Sequence, residues 1–511
     1  MADVDDRSLD DSMHVLRGIG DGDAPLDAAG QGQPRGARMK SRHLLLAVLV
    51  AVVLVRLASL GLYPLIDRTE ARYGEMGRKM LETANWISPQ WDYGVPFWGK
   101  PPLSFWASAA SMAVFGVGAF AARFATLVFA LLTAVLFWRW PHEPAPRPAA
   151  AMAASLVLLS SALGFLIAGA VATDVFMAFG MTLSMVAFWN ALHNPRAAAA
   201  DRYWFFVGLA IGLLAKGPVA VVMTGIALGL WLAWTRQWRA VWQGLPWLRG
   251  LLLTLALALP WYLAAESATP GFLQYFIVGE HWQRFTQPGW TGDLYGGGHE
   301  RPRGAIWIYA VASALPWSIA ALALLRRKPA SGSARRPSPD PQIAYLLCWM
   351  LAPLLLFTLA RNILETYALP ALPAFALMTV RVFMEREPKG ASSRVWLLGL
   401  VMPLVVCAVL VFGHERIEAH SQRRMLANLQ DNDAPLIYLF HRPYSGQFYS
   451  AGRAREVRDS ADIARWLATD EPATLLVPEH EFGVLSLATD PRWVEVARHG
   501  GYVMLKKRQA P

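Results

Sequence analysis

Between Leu65 and Trp106 the chain reads LIDRTEARYGEMGRKMLETANWISPQWDYGVPFWGKPPLSFW, directly after its first membrane-length apolar run. Asp67, Glu70 and Glu75 are carboxylates that can position or deprotonate a hydroxyl, and Arg72, Arg78, Lys79 and Lys100 can hold an anion. Such a loop between greasy segments is expensive to keep unless it works at the membrane surface. Lys100 sits in Trp98-Gly99-Lys100-Pro101-Pro102, with Trp106 close behind. A lysine flanked by tryptophans can hold a lipid phosphate at interface depth; the alternative is a side chain that reaches for head groups. Glu70 has two plain alternatives to catalysis, pairing with Arg72 or capping the helix that Thr69-Glu70 begins. Glu75 and Arg78 read as a surface pair.

Four further polar sites interrupt apolar sequence. Asp174, in Ala172-Thr173-Asp174, has an apolar run on either side, which is costly for a carboxylate and points to function, although it could also cap the following helix. Lys216-Gly217-Pro218 breaks a long apolar stretch and offers a second cation for phosphate. Gly279-Glu280-His281-Trp282-Gln283-Arg284-Phe285 brings His281 and Arg284 as polar contacts for an anion or a sugar. Arg361-Asn362 and Tyr367 close the set in RNILETYALP.

The elements that must position these groups are membrane helices. Of 511 residues 55% are hydrophobic, only 16% are charged and 22 are Trp, with a mean hydropathy of +0.31. Apolar runs of roughly 18–20 residues recur, the length that crosses a hydrocarbon core. The fold class is therefore a polytopic α-helical membrane protein. The net charge of +10 lies in short basic loops and sets orientation in the bilayer, so nucleic acid is not the expected partner. Cys348 and Cys407 fall inside predicted helices, which argues against a disulfide or a thiolate metal site. Residues 1–43 read as a disordered cytoplasmic tail without a signal peptide, and Met39 is an alternative start.

Basic loops at 139–149, 194–202, 236–249, 326–341 and 381–394 are expected in the cytoplasm, and an even number of crossings must separate consecutive loops. The spans are then 44–62, 123–140, 150–170, 175–193, 203–215, 218–235, 250–265, 304–325, 343–360, 366–383 and 395–412, about 11 in all. The apolar piece 103–118 breaks this parity and is expected at the outer interface or partly re-entrant. A transmembrane domain at 44–413 thus carries periplasmic loops 63–122 and 266–303, and most of the polar sites face that one compartment. Residues 414–511 form a small periplasmic α/β domain, with strands near 436–440 and 474–477, a helix at 461–467 and a hairpin around Gly500-Gly501.

The order of these motifs resembles the bacterial aminoarabinose transferase-like branch of the GT-C glycosyltransferases, which use lipid-linked sugars and include the protein O-mannosyltransferases. The resemblance is strongest over 65–124 and traceable to about residue 385. It implies an inverting glycosyltransferase of the bacterial inner membrane. The donor would be a polyprenyl-phosphate sugar, with undecaprenyl phosphate as the expected carrier, and the acceptor an envelope glycolipid such as lipid A, a glycan or a protein. Matched to the family string, Ala71-Arg72-Tyr73-Gly74-Glu75 places Thr69 where an Asp is common and Glu70 on the following Glu. Glu70 becomes the expected catalytic carboxylate, with Asp67 as substitute and Asp174 as the second-loop acid. Lys100, Arg72, Tyr73, Lys216, His281, Arg284, Arg361 and Tyr367 become expected substrate contacts. His281 matches a metal-binding position and is the weak candidate for a divalent metal, but Gly99 replaces the Glu that would share it, which leaves such a cofactor doubtful. A flippase for lipid-linked sugars and an inactive scaffold are the alternative readings.

Overall fold

The computed structural model describes residues 35–508 apart from 143–146, 195–198, 288–289, 297–299, 327–339, 387–392, 428, 430–433, 469–470, 486 and 488. Most of the expected amino-terminal tail, and nearly all of the basic loop 326–341, lie outside the described residues. The tail ends earlier than expected, because Arg35–Ser59 is one continuous helix.

Among the described residues eight helices are long and apolar enough to cross a membrane: Ser41–Ser59, Ala119–Arg139, Asp174–His193, Pro218–Thr235, Trp247–Ala268, Pro341–Thr358, Glu365–Arg386 and Arg394–Phe412. The run 304–325 is not one straight span. It is split into Ala305–Ser313 and Trp317–Arg326, bent by 94°. Pro316 lies at the break, where its ring and missing amide cannot continue a helix. The run 150–170 is also broken. Arg147–Ser160 stops where the Ser161 side chain caps a short helix, Ala162–Ile167, by accepting from Gly164 N at 3.2 Å. Leu103–Phe115 has 13 residues, about 20 Å of helix, which is short of a ~30 Å hydrocarbon core. It packs against Thr69–Thr83 and Ala119–Leu136, and Ser108 Oγ donates to Ala122 O at 3.0 Å.

Asp174–His193 and Asp201–Lys216 cross with their backbones almost in contact. A Cβ on Gly208 would stand 2.5 Å from Gly180 O, and one on Gly180 would stand 2.7 Å from Gly208 O. Small residues at such a crossing replace the hydrophobic drive that helices lack in lipid. The crossing fixes Asp174 at the start of one helix near Lys216 at the end of the other.

The loop between the first two spans is held by one buried guanidinium. Arg123, on Ala119–Leu136, is fully buried. Its Nε and Nη2 donate to Glu70 Oε1 and Oε2, both at 2.7 Å. Nη1 reaches Leu60 O at 2.7 Å and Tyr63 O at 2.8 Å, and Nη2 also reaches Pro64 O at 2.7 Å. All five guanidinium N–H groups are therefore used. Glu70 in turn accepts from Ile66 N at 3.2 Å and Val171 N at 3.3 Å. Glu70 thus pairs with Arg123, not with Arg72.

The carboxy-terminal region contains a five-stranded mixed sheet in the order Arg455–Val457, Leu436–Leu439, Thr474–Pro478, Tyr502–Lys507, Trp493–His499. The first three strands run parallel, and the last two pair antiparallel. The helix Tyr444–Tyr449 docks this domain on the loop. Ser445 N donates to Asp67 Oδ1 at 3.0 Å and the Ser445 hydroxyl donates to Oδ2, while Leu65 N donates to the Tyr449 hydroxyl at 2.7 Å. Asp92 receives Arg442 at 2.7 Å and Gln447 Nε2 at 2.9 Å.

The docked domain also overturns the reading of Glu75 and Arg78 as a surface pair. Their side chains are 1% and 5% exposed, with Nε to Oε2 at 2.7 Å. Gly452 covers them so closely that a Cβ there would stand 2.6 Å from Arg78 Nη2. Lys79 is buried beside them and donates to Trp91 O at 2.7 Å. Burial pushes its pKa down to about 8, against the opposing pull of Glu75 and Asp92.

Three outcomes are expected. Reporter fusions should read cytoplasmic at Arg147 and periplasmic at Gly118, Gly292 and Gly452; a cytoplasmic signal at Gly118 would mean that Leu103–Phe115 crosses the membrane. Glu70→Gln and Arg123→Met each leave a buried partner uncompensated and should destabilise the fold by about 3–5 kcal/mol. Thermal unfolding in detergent measures this, and an unchanged midpoint would contradict an anchoring role for the Arg123–Glu70 pair. The Lys79 pKa in the fold lies below that of a free lysine, so the unfolded chain binds this proton more tightly. The resulting penalty is full below pH 8 and fades as pH rises toward 10.5. Wild type should therefore gain stability relative to Lys79→Met between pH 7.5 and 10, and a flat difference would contradict the burial of a charged amine.

Candidate functional site

One cavity gathers most of the lone cations. Its walls include Lys100, Lys216, Glu280, His281, Arg284, Asn362 and Tyr367, with Met177, Met223, Phe285 and Phe357 as apolar surface, and it encloses about 100 Å³. Four separate segments supply these groups. Lys100 follows the small hairpin Gln90–Asp92 and Val95–Pro96, and Pro101-Pro102 stiffens the backbone after it. Lys216 ends its helix at Gly217, whose φ of +88° suits glycine. A Cβ there would also stand 2.6 Å from the Phe276 ring. Glu280 and His281 project from a π-helix, Gln274–Gln283, a geometry frequent at functional sites. Asn362 and Tyr367 come from the turn after Pro341–Thr358, where Asn362 pairs by its backbone with Glu300.

The charges are arranged in pairs. Glu280 lies 3.7 Å from Lys100 and 3.0 Å from Arg284, and Arg284 also faces Asp293 at 3.4 Å. Lys216 forms an ion pair with Asp174, and its ammonium sits 4.4 Å from the centre of the Tyr367 ring. Burial pulls the Glu280 carboxyl upward, but Lys100 and Arg284 outweigh it and hold the group below the usual range. Burial would lower Lys100, yet Glu280 leaves it above an ordinary lysine. At neutral pH Glu280 is therefore anionic and Lys100 cationic.

His281 is turned to the backbone. Its Nδ1 lies 2.8 Å from Phe276 O and its Nε2 3.2 Å from Lys216 O, and burial pushes its pKa down. With both nitrogens facing carbonyls, and Gly99 where the family's second ligand would stand, these residues do not fit a metal. Among the described residues no group of three or more His, Cys, Asp or Glu side chains could hold one.

Lys100, Lys216, His281, Arg284 and Tyr367 are thus brought together as the sequence suggested. Asp174 reaches the cavity only through Lys216. Glu70 is locked by Arg123, and Asp67 by Ser445, so neither expected acid lines the cavity. Asp67 is also pushed up by burial, against the lowering effect of Ser445. Arg72 donates to Tyr295 O at 3.0 Å and lies among the rings of Tyr73, Trp91 and Tyr444. Tyr73 packs edge-on against Phe105 at 5.5 Å. Arg361 is exposed, and its carbonyl accepts from Arg301 N at 2.8 Å. Of the Arg361-Asn362 pair it is Asn362 that lines the cavity, while Glu280 and Arg123 were missed. Arg123 was detectable as the one charge within an apolar run, and Glu280 as the acid beside His281.

Comparison with known proteins agrees with this geometry. The profile of the dolichyl-phosphate-mannose-protein mannosyltransferase family matches residues 41–276. The undecaprenyl phosphate-alpha-4-amino-4-deoxy-L-arabinose arabinosyl transferase of Pseudomonas aeruginosa (strain LESB58) is 30% identical over 382 residues, 73% of this chain and 66% of that protein. The protein of the same name from Edwardsiella ictaluri is 30% identical over 367 residues, covering 69% of this chain and 63% of its own length. The chain thus spans a little under two thirds of the length of these relatives. The crystal structure of ArnT from Cupriavidus metallidurans bound to undecaprenyl phosphate superposes with a TM-score of 0.73 at 18% identity, covering 90% of this chain and 97% of that one. The fold, the family profile and the relatives agree in their likeness to the aminoarabinose transferase-like glycosyltransferases.

Proposed function

We propose that this protein transfers a sugar from a polyprenyl-phosphate donor, with undecaprenyl phosphate as carrier, to an envelope acceptor at the periplasmic face of the inner membrane. The observation that carries this reading is the convergence of Lys100, Lys216 and Arg284 on one cavity at the helix ends. Negative charge builds on the phosphate as its bond to the sugar breaks, and fixed cations in a dry site stabilise that charge more than water does. Lys100 and Arg284 would face the leaving phosphate. Lys216, steadied by Asp174 and Tyr367, is the second donor. Attack on the anomeric carbon from the face opposite the phosphate inverts its configuration.

The acid-base side of the reaction also points to an acceptor class. Glu280 is the carboxylate lining the cavity, and its lowered pKa makes it a poor proton acceptor. Asp67 and Glu70 serve the loop and its docking. An acceptor that attacks through an already ionised oxygen needs no base, and a glycolipid phosphate such as that of lipid A meets this condition. The flippase reading expects paired broken helices with charges near the midplane, whereas these cations lie at helix ends and in loops.

Lys100→Ala should weaken binding of undecaprenyl phosphate in nanodiscs and cut turnover at least a hundredfold, because a desolvated phosphate loses a partner. Lys100→Arg should recover only part, since a planar fork replaces a compact charge. Binding and turnover like wild type in Lys100→Ala would overturn the phosphate site.

A further inference from the structure

The cavity is electrically balanced before any ligand enters. Lys100, Lys216 and Arg284 supply three positive charges. Glu280, paired with Lys100 and Arg284, Asp174, paired with Lys216, and Asp293, paired with Arg284, supply three negative. A polyprenyl-phosphate sugar adds one negative charge on its phosphodiester. Enclosing that anion leaves a net charge in a poorly solvated space unless the same head group also carries a cation.

Two acceptors in the walls are available to such a cation. The Glu280 side chain is only 7% exposed and rests on Lys100 and Arg284. A phosphate that engages these cations competes directly with the carboxylate, which then needs another donor. Asn362 Oδ1 is buried and accepts no hydrogen bond from the described residues. Its backbone bridges to Glu300, and the residue lines the cavity beside Tyr367. A buried acceptor without a donor is a loss that a ligand donor would repair.

We infer that Glu280 and Asn362 are specificity-determining residues that together receive a protonated amine of the transferred sugar. Phosphate and amine then enter as a neutral pair, the phosphate replacing Glu280 at the cations and the amine replacing the cations at Glu280. This rests on the sugar-transfer reading above and adds to it the residues that select the sugar.

The test compares undecaprenyl-phosphate donors carrying 4-amino-4-deoxy-L-arabinose or L-arabinose, with the protein in nanodiscs and lipid A as acceptor. Wild type should favour the amino donor at least tenfold in kcat/KM. Glu280→Gln, which keeps the side-chain volume, should lose most of that preference, chiefly through a higher KM for the amino donor. The same variant should bind bare undecaprenyl phosphate as tightly as wild type or more tightly, since a negative neighbour is removed. Asn362→Ala should lower the preference in the same direction, by about threefold. A preference unchanged in both variants overturns the inference. So does an equal loss with both donors, or weaker binding of bare undecaprenyl phosphate by Glu280→Gln, because Glu280 would then only order the cations. Wild type that binds undecaprenyl phosphate yet discriminates between the donors not at all also overturns the inference while leaving the transferase reading intact. Wild type that transfers neither sugar overturns both.

Discussion

The placement of the loop beside the cavity depends on the Arg123–Glu70 pair. A guanidinium with five N–H groups is hard to bury, because each unmet donor carries a desolvation penalty. Here each is met, three by carbonyls of the segment 60–64 and two by Glu70. One side chain therefore fixes the end of the first span, the first turn of the loop helix and the start of the second span. Glu70 carries the order further by accepting from Val171, three residues before Asp174. Asp174 then holds Lys216 in the cavity. The run of contacts from Arg123 to Lys216 links loop position to cation position without touching a ligand.

The docked carboxy-terminal domain completes the loop from the other side. Asp67 and Asp92 are loop acids that a reader of the sequence would expect to find facing solvent or substrate. Instead they accept from Ser445, Arg442 and Gln447. Arg72 lies within 6 Å of the ring centres of both Trp91 and Tyr444, joining loop and domain through its planar face. Because the domain covers Glu75, Arg78 and Lys79, a helix that is polar in sequence becomes a buried one. Its charges have each other as partners in place of water.

This explains what the sequence revealed and what it hid. The membrane helices and the site cations were legible because each breaks a pattern: Lys100, Lys216 and Arg284 are polar groups beside long apolar runs, where charge is too costly to be incidental. Partnership was not legible. Glu70 and Arg123 are 53 residues apart, and Asp67 and Ser445 are 378 apart, so local spacing could not show that the acids were already engaged. The bend near Pro316 was likewise invisible to hydropathy, which averages across a break. Exposure of the Glu75–Arg78 pair was misjudged for a third reason, since the surface that buries it lies at the far end of the chain.

The position that carries an Asp in much of the family is Thr69 here, and it is exposed at the start of the loop helix. Its neighbours cannot readily take over, because moving Glu70 would strand Arg123 and moving Asp67 would undock Ser445. Anchoring the loop and leaving a loop carboxylate free as a base are therefore opposed demands on the same few residues. In this chain the loop acids are engaged in anchoring, and the carboxylates near the cavity cations are those paired with them. Such pairing holds the lysines and the arginine in place before any ligand arrives, so under the proposed function an incoming phosphate would exchange one fixed anion for another with little reorganisation. A site built this way would stabilise a leaving phosphate well and withdraw protons poorly, the combination suited to an acceptor that arrives already ionised.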